Sequence, residues 1–182
     1  MTIKALIKIN FAVFCVLLIV SPVVAEQEKS NENTAKTMLR HYIELRLNDA
    51  DWKEYSKFIM WPDEPAWDCK WLINDYVIGQ PRTQKKKIII PVSFTRLGLY
   101  CYPEAFEADL KKVTIKYELE KYQGTWKVSG PDIDYPEIGK DKVLQSLKAV
   151  AVSPSATADQ RAIAESMTRK VEESSSRTRS KH

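Results

Sequence analysis

Residues 113–130, VTIKYELEKYQGTWKVSG, alternate apolar and polar side chains. An extended chain places successive residues on opposite faces, so this pattern indicates a sheet with one buried face and one solvated face. A two-residue turn at Gln123 and Gly124 would place Leu119 opposite Val128 on the apolar face. Because the turn length and the alternation agree on one register, the sequence predicts a β-hairpin.

An earlier alternating region predicts a short strand and a long strand. Residues 76–78 form the short strand and residues 88–101 form the long one. The apolar positions of the long strand change parity beyond Arg96, so we expect a bulge or bend near Thr95 to Gly98. Pro91 has no N–H to donate to a ladder, which favours an edge or irregular position for this residue.

Apolar residues three and four positions apart dominate the chain before residue 50. This spacing predicts a helix that Asn33 or Thr34 caps and that ends near Asn48. The helix would present one apolar face to the sheet.

Three short helices are predicted elsewhere. One begins after a cap at Asp49 or Asp51, and its apolar stripe starts at Trp52. Another runs from Pro65 to about Leu72, since proline fits the first turn of a helix. The last lies within residues 139–150, GKDKVLQSLKAV.

The remaining C-terminal segment, residues 151–182, is rich in Ser, Thr, Ala and charged residues. Ile163, Met167 and Val171 could form a narrow helical stripe, but their neighbours are polar. This composition predicts a disordered tail with transient helix.

The N-terminal residues have the pattern of a secretory signal peptide. Lys4 and Lys8 precede an apolar run over residues 11–20, and Ala25 offers a small residue for cleavage. The run is shorter than the roughly 20 residues that a membrane span needs. We therefore predict a signal peptide at 1–25 and a periplasmic or secreted protein without stable membrane insertion, with an uncleaved anchor as the alternative.

The net charge and the cysteines of the cleaved chain indicate which partners are unexpected and whether a disulfide forms. Loss of Lys4 and Lys8 lowers the formal net charge from +4 to +2, which does not indicate a nucleic-acid partner. Cys69 and Cys101 remain, and an oxidising compartment favours their pairing as a disulfide over two buried inert thiols. The predicted organisation is a polar leading segment at 26–33, a single α+β domain at 34–150 and the tail.

Helices followed by a short strand, a bent long strand, a hairpin and an acidic, proline-containing exit make an α+β order. The runs DWKEYSKFIMWPDEPAWDCKWLINDYVI and VTIKYELEKYQGTWKVSGPDIDYPEI resemble the nuclear-transport-factor-two-like superfamily, in particular its small exported bacterial domains with no assigned activity. The resemblance implies N-terminal helices packed on a strongly curved, mainly antiparallel sheet, which together form a cone around a pocket. It also implies that a homodimer is possible.

The stretch MWPDEPAWDCKW, residues 60–71, has the composition of a carbohydrate or acid–base site. A helix start would account for its prolines and for Asp63 and Glu64, whose charges favour a helix N-terminus. Asp68 is the acid that this explanation leaves over, so it is the catalytic candidate. The candidates for lining a pocket are aromatic residues, for which ordinary core packing is the alternative, namely Trp67, Tyr76, Tyr117 and Trp126.

The known sequence signatures of hydrolases, metalloproteases, phosphate loops and dinucleotide sites do not occur, so no cofactor and no metal are expected. The preferred hypothesis is an exported non-catalytic domain that binds a small apolar ligand or an envelope protein partner. One alternative is an isomerase or dehydratase that uses Asp68 with pocket tyrosines. Another is an immunity or assembly module that makes contact through its tail.

One basic run, Arg82 with residues 85–87, has two readings. It could meet an anionic lipid or glycan, or it could be a solvated loop that protects the start of a strand.

Overall fold

The computed structural model describes residues 26–61, 68–101, 105–131 and 136–179. Within these ranges the protein is α+β, with helices packed on a strongly curled, mixed sheet. The helices are α1 over residues 26–47, α2 Trp52–Tyr55 with a 3-10 turn at Ser56–Phe58, α3 Lys140–Val152 and α4 Ala158–Arg179. The strands are β1 Cys69–Ile78, β2 Arg82–Gln84, β3 Lys87–Cys101, β4 Ala105–Tyr122, β5 Thr125–Gly130 and β6 Glu137–Gly139. The predicted fold class and cone-like curvature are therefore confirmed.

The sheet follows the order β5-β4-β3-β1-β6, with β2 paired to β3. Neighbouring strands are antiparallel except for β1 and β6, which are parallel. The predicted hairpin is confirmed, because Leu119 pairs with Val128 and the turn lies at Gln123 and Gly124, with φ of 50° and 82°. Positive φ at both central residues is the geometry that suits the twist of a two-residue hairpin.

The predicted bulge in β3 is also confirmed. Against β1, Ile73 pairs with Arg96 and Leu72 pairs with Gly98, so Leu97 is an extra residue of β3. The register with β4 also shifts between Arg96 and Gly98, with the extra residue on β4. Gly98 lies against β4 so closely that a Cβ atom there would be 2.1 Å from the carbonyl oxygen of Glu107. The buried side chains of β3 before the bulge, such as Phe94, belong to one apolar core, and those from Leu97 onward belong to another.

Pro91 lies in the central strand β3, where the sequence indicated an edge or irregular position. Its ring nitrogen causes no loss of a ladder bond because β1 ends at Ile78, just before this point. The carbonyl oxygen of Pro91 instead accepts a hydrogen bond of 2.8 Å from the N–H of Gly79. Pro91 thus occupies a place where the neighbouring strand has already ended.

The first of two apolar cores fills the inside of the curl, where α1 packs on β3, β4 and β5. It includes fully enclosed side chains of α1 and of the sheet, among them Leu39, Tyr42, Ile90, Leu119 and Val128. Helix α1 is longer than predicted, since it already includes residue 26. No glycine or proline in residues 26–33 interrupts the helix. Thr34, a predicted cap, therefore lies inside the helix and donates its hydroxyl to the carbonyl of Ser30 at 2.9 Å.

The second core lies on the opposite face, where α3 and α4 cover the sheet beyond the bulge. Leu97 and Leu72 contribute from the strands, and Ala164, Met167 and Val171 contribute from α4. The prediction of a disordered tail was therefore wrong for residues 158–179. The stripe is narrow, but it has a matching apolar surface to cover.

The predicted helix from Pro65 to about Leu72 was wrong at its C-terminal end, since Cys69 to Leu72 belong to β1. The cause is tertiary: Cys69 pairs with Cys101 across β1 and β3, and the two residues form a disulfide. The disulfide prediction is confirmed. Pro65, the signal peptide at 1–25 and the chain end from Ser180 lie outside the described residues.

The second predicted helix is present but short. Asp51 caps α2 by accepting a hydrogen bond of 3.2 Å from the N–H of Lys53. Beyond Tyr55 the chain tightens into the 3-10 turn, and Ile59 forms a β-bridge with Val128. None of the helices in the described part of the chain is long and apolar enough to cross a membrane.

Candidate functional site

The inside of the curl holds a buried ion pair. Arg46 of α1 and Glu137 of β6 are each 6% exposed at their side chains, and their Nη2 and Oε2 atoms are 3.8 Å apart. Glu137 faces inward because β6 pairs in parallel with β1, which places it beside Trp71. A charged pair in an apolar core requires further polar partners to offset its lost hydration.

Aromatic side chains provide those partners. The Arg46 guanidinium donates to the hydroxyl of Tyr42 at 3.1 Å and lies 5.2 Å from the centre of the Tyr55 ring. The Tyr117 hydroxyl lies 3.5 Å from Glu137 Oε1, at the long limit of a hydrogen bond. We call Tyr42, Arg46, Tyr117 and Glu137 the inner network.

Burial determines the protonation behaviour of the inner network. It raises the pKa of Glu137, and this effect exceeds the opposing influence of Arg46. Burial also raises the pKa of Tyr117 well above its ordinary value, and the nearby Glu137 carboxyl raises it further. Tyr117 is thus a phenol that does not ionise under ordinary conditions. Its proton can serve only as a hydrogen-bond donor.

A second aromatic and cationic contact lies next to the inner network. The Arg96 guanidinium stacks 3.5 Å from the centre of the Trp71 ring. Burial lowers the pKa of Arg96, and the carboxylates of Asp109 and Glu137 oppose that shift. Arg96 Nε is buried without an acceptor among the described residues. The Arg96–Trp71 contact thus lies beside Glu137, because Trp71 pairs with Glu137 across β1 and β6.

The predicted pocket residues in the described part of the chain do not surround one common pocket: Tyr117 and Trp126 pack in the first core, and Trp126 also lines a cavity of about 300 Å³ at the end of the hairpin. Tyr117 is 2% exposed in the inner network, and Trp126 is 8% exposed with Lys121 lying 5.2 Å from its ring centre. The Tyr76 hydroxyl donates to Glu44 at 3.4 Å, and burial together with this carboxylate raises the pKa of Tyr76. Trp67 lies outside the described residues.

Asp68 lies in a cavity of about 330 Å³ on the other face of the sheet. Tyr100 and Lys70 line the same cavity, and Lys70 forms an ion pair with Asp49 there. The structure therefore does not bring Asp68 into one site with Tyr117, which belongs to the first core. Tyr100 is the tyrosine that lines this cavity together with Asp68.

A larger cavity, of about 420 Å³, lies beside the β4–β5 hairpin. We call it the hairpin cleft. The segment after the 3-10 turn forms one wall, since the N–H of Met60 donates to the Val128 carbonyl at 3.0 Å and fixes this segment to the edge of β5. The cleft is lined by large apolar and aromatic side chains together with the polar residues Ser56 and Lys127; the apolar and aromatic ones are Trp52, Ile59, Met60, Trp61 and Tyr122.

The hairpin cleft exposes apolar surface to solvent. Met60 is 44% exposed and Tyr122 is 48% exposed, and they are two of the four large hydrophobic residues with this degree of exposure in the described part of the chain. The other two, Val77 and Val152, lie away from the cleft. Solvent-exposed apolar groups that gather in one concavity are typical of binding sites.

The sequence reasoning missed both the hairpin cleft and the inner network. Trp52 fits a helical stripe in the sequence, and the position of Tyr122 directly before a turn is the signal for an exposed aromatic group. Arg46 lies four residues after Tyr42 on the buried face of α1, which is where a helical stripe places a charged residue inside. Such a charge in an apolar stripe could have indicated a buried pair.

Comparison of the chain with protein-family models, with curated proteins and with solved structures finds no match. Among the described residues, no group of three or more His, Cys, Asp or Glu side chains is arranged to hold a metal ion.

Proposed function

We propose that the protein is a non-catalytic binding domain that takes a small apolar ligand in the hairpin cleft. The observation that carries this proposal is the convergence of exposed Met60 and Tyr122 on one cavity of about 420 Å³. Cavities of this size suit small molecules. The proposal places the ligand at the edge of the sheet, because packed side chains fill the inside of the curl.

The chemistry of the lining supports an apolar ligand with at most one acidic group. Trp52 and Trp61 provide rigid aromatic surface, and the flexible thioether of Met60 adapts to irregular shapes. Lys127 is the cation of the cleft, and its Nζ lies 5.3 Å from the centre of the Tyr122 ring. A carboxylate or sulfonate on the ligand would therefore be tolerated at one end.

The test is a fluorescence titration of the purified protein with 1-anilinonaphthalene-8-sulfonate, an apolar aromatic probe with one acidic group. We expect saturable binding that Met60→Ser/Tyr122→Ser weakens by roughly tenfold or more, since two apolar contacts are lost. The matched control is Val77→Ser, a residue that is 61% exposed outside the cleft. Equal weakening by the control, or no saturable binding, would overturn the proposal.

A second candidate function rests on the cavity that Asp68 shares with Tyr100. A carboxylate and a phenol beside one cavity are the groups that proton transfer in an isomerase or dehydratase requires. Asp68→Asn should abolish such an activity if Asp68 is its base. Full activity in this variant would remove the enzyme hypothesis.

We further propose that the domain works in the periplasm or outside the cell. The Cys69–Cys101 disulfide supports this location, since such bonds persist where thiols are oxidised. Native mass spectrometry of protein purified from its own compartment would show the cleavage site, the disulfide and any retained ligand together. An uncleaved N-terminus with free thiols would contradict the proposed location.

A further inference from the structure

Two turns of the sheet lie side by side at the end where the β4–β5 hairpin reverses. Lys87 at the start of β3 pairs with Glu120 near the end of β4, so the turn at Lys85 and Lys86 is a neighbour of the turn at Gln123. A cavity of about 300 Å³ lies between these turns and the first residues of α1. We call it the basic cavity.

The basic cavity is distinct from the hairpin cleft. Lys121 and Trp126 line the basic cavity, whereas the next residue after each, Tyr122 and Lys127, lines the hairpin cleft. Successive residues of a strand point to opposite faces, so the two cavities lie on opposite sides of the hairpin. A ligand in one therefore does not occupy the other.

Four lysines line the basic cavity, namely Lys85, Lys86, Lys87 and Lys121, against one carboxylate, Glu28. Lys87 is compensated elsewhere, by Glu118 at 2.7 Å and Glu120 at 3.0 Å.

The other lysines are not compensated by carboxylates. Lys121 donates to the side-chain oxygen of Asn31 at 2.9 Å, which leaves its positive charge in place. Lys85 and Lys86 have no ion pair within the part of the chain that the structure describes. The cavity therefore carries an excess of positive charge, which is concentrated at the β2–β3 turn.

The β2–β3 turn places two adjacent lysines beside the cavity. Lys85 has a φ of 58°, the positive φ that suits a two-residue hairpin and that Gln123 also adopts in the neighbouring turn. Lys85 and Lys86 both line the cavity from this turn.

The donor set favours a phosphate group over a carboxylate. The lining cations are all lysines, which bind phosphate as point charges. A phosphate monoester carries up to two negative charges and a carboxylate carries one, so several lysines around one cavity attract the phosphate more strongly. Asn31 accepts from Lys121 through its oxygen, so its amide N–H groups can donate to a phosphate oxygen. Trp126 provides an apolar wall beside these donors.

We propose that the basic cavity binds a phosphate group, carried either by a small soluble molecule or by a phospholipid at a membrane surface. This site is independent of the apolar ligand proposed above. The variant that tests it is Lys85→Asn/Lys86→Gln, which removes two charges, breaks no described contact and places an asparagine where φ is positive. The matched control is Lys112→Gln/Lys116→Gln, which removes two exposed lysines of β4 outside the cavity.

Two arms distinguish the sources of the phosphate. The first is calorimetric titration with glycerol 3-phosphate, in which we expect the test variant to bind roughly tenfold more weakly than the control. The second is sedimentation with vesicles of phosphatidylglycerol and phosphatidylcholine in equal parts. Each lysine at an anionic surface contributes a factor of about five, so the test variant should bind these vesicles on the order of 25-fold more weakly.

Binding in the first arm identifies a soluble phosphate compound, and binding in the vesicle arm alone identifies a phospholipid. The proposal is overturned if neither arm shows binding or if the control variant loses as much affinity as the test variant. It is also overturned if acetate competes as well as inorganic phosphate does. Lys86→Gln alone, outside the positive-φ position, provides a second variant that should lose about half of the effect on a logarithmic scale.

Discussion

The two apolar cores of this protein lie on opposite faces of one sheet and are built differently. The first core is covered by α1 and holds the inner network with its ion pair between Arg46 and Glu137. The second core is covered by α3 and α4, and the buried polar residues of α4 are Ser174 and Ser175 rather than charged ones. The first core therefore depends on charge compensation, whereas the second depends on a helix whose apolar stripe is narrow.

Among the variants that test this difference between the two cores, removal of α4 should lower the free energy of unfolding the most. A chain that ends at Ser153 lacks Met167 and Val171 and uncovers Leu97, so we expect a loss on the order of 5 kcal/mol or more, comparable with the total stability of a small domain. The measurement is chemical denaturation followed by tryptophan fluorescence. The control is a chain that lacks only residues 180–182. An unchanged midpoint in the shorter chain would show that the second core does not need α4.

This result also decides how the tail hypothesis can be tested. If the interaction-module alternative holds, the contact surface is the outer face of α4, and deletion of the tail would confuse lost folding with lost binding. Exposed charges such as Arg161 and Glu165 can be replaced instead, because they contribute nothing to the second core.

The next largest effect should come from breaking the ion pair of the first core. Arg46→Met leaves Glu137 buried without its cation, and removing one partner of a buried pair typically costs about 3 to 5 kcal/mol. Arg40→Met on the exposed side of α1 should change the free energy of unfolding by less than about 0.5 kcal/mol.

The double variant Arg46→Met/Glu137→Leu should recover most of the lost stability, because no unpaired charge remains. Thermal and urea unfolding of all these variants provide the free energies. A double variant as unstable as Arg46→Met alone would show that the aromatic contacts of Arg46, rather than its charge, stabilise the first core.

The disulfide lies at the end of β1 and β3 where the second core begins, so its removal should destabilise the second core more than the first. Cys69→Ala/Cys101→Ala opens a covalent loop with a sequence separation of 32 residues, for which chain entropy gives roughly 3 to 4 kcal/mol. Hydrogen exchange should show faster opening at Tyr100 and Leu72 than at Ile90 in the first core. Uniform acceleration across both cores would contradict a local effect.

The smallest expected effect is a pH dependence that belongs to the first core. The folded-state pKa of Glu137 is raised by burial, so the folded protein binds this proton more tightly than the unfolded chain. The resulting stabilisation is fully present below the unfolded pKa of about 4.3 and is lost as the pH rises through the folded pKa.

Glu137→Gln removes this titration, so the stability of the wild type relative to this variant should fall as the pH rises above the unfolded pKa of about 4.3. Urea denaturation at several pH values measures the difference, and each unit of pKa shift corresponds to about 1.4 kcal/mol. Met167→Leu, in the second core, is the control and should show no such trend. A difference that rises with pH would contradict the direction.

Local signals were sufficient for the regular parts of the sheet. The hairpin around Gln123 followed from turn length and alternation, and the bulge at Leu97 followed from one parity change in the sequence. The pairing of Cys69 with Cys101 followed from composition and the expected compartment.

Long-range packing determined what the sequence did not reveal. The residues after Pro65 carry a helix-start signal, but pairing of β1 with β3 makes Cys69 and Leu72 part of a strand. Helix α4 has serines at buried positions, which composition counts as polar, and tertiary contacts rather than propensity stabilise it.

The candidate sites were the least predictable part. Arg46 and Glu137 meet although 90 residues separate them, and no pattern within either segment indicates that contact. The hairpin cleft depends on a β-bridge between Ile59 and Val128, which likewise has no local signal.

Gly98 and Gly124 differ in the substitutions that they can accept over evolution. A Cβ atom at position 98 would meet the backbone carbonyl of Glu107, which no rotamer can avoid. The close contact between β3 and β4 at the bulge, where the two cores meet, therefore requires glycine. Gly124, in contrast, has open space around its missing Cβ, so asparagine or aspartate is tolerable at its φ of 82°. We therefore expect position 98 to tolerate no substitution, whereas position 124 tolerates at least two.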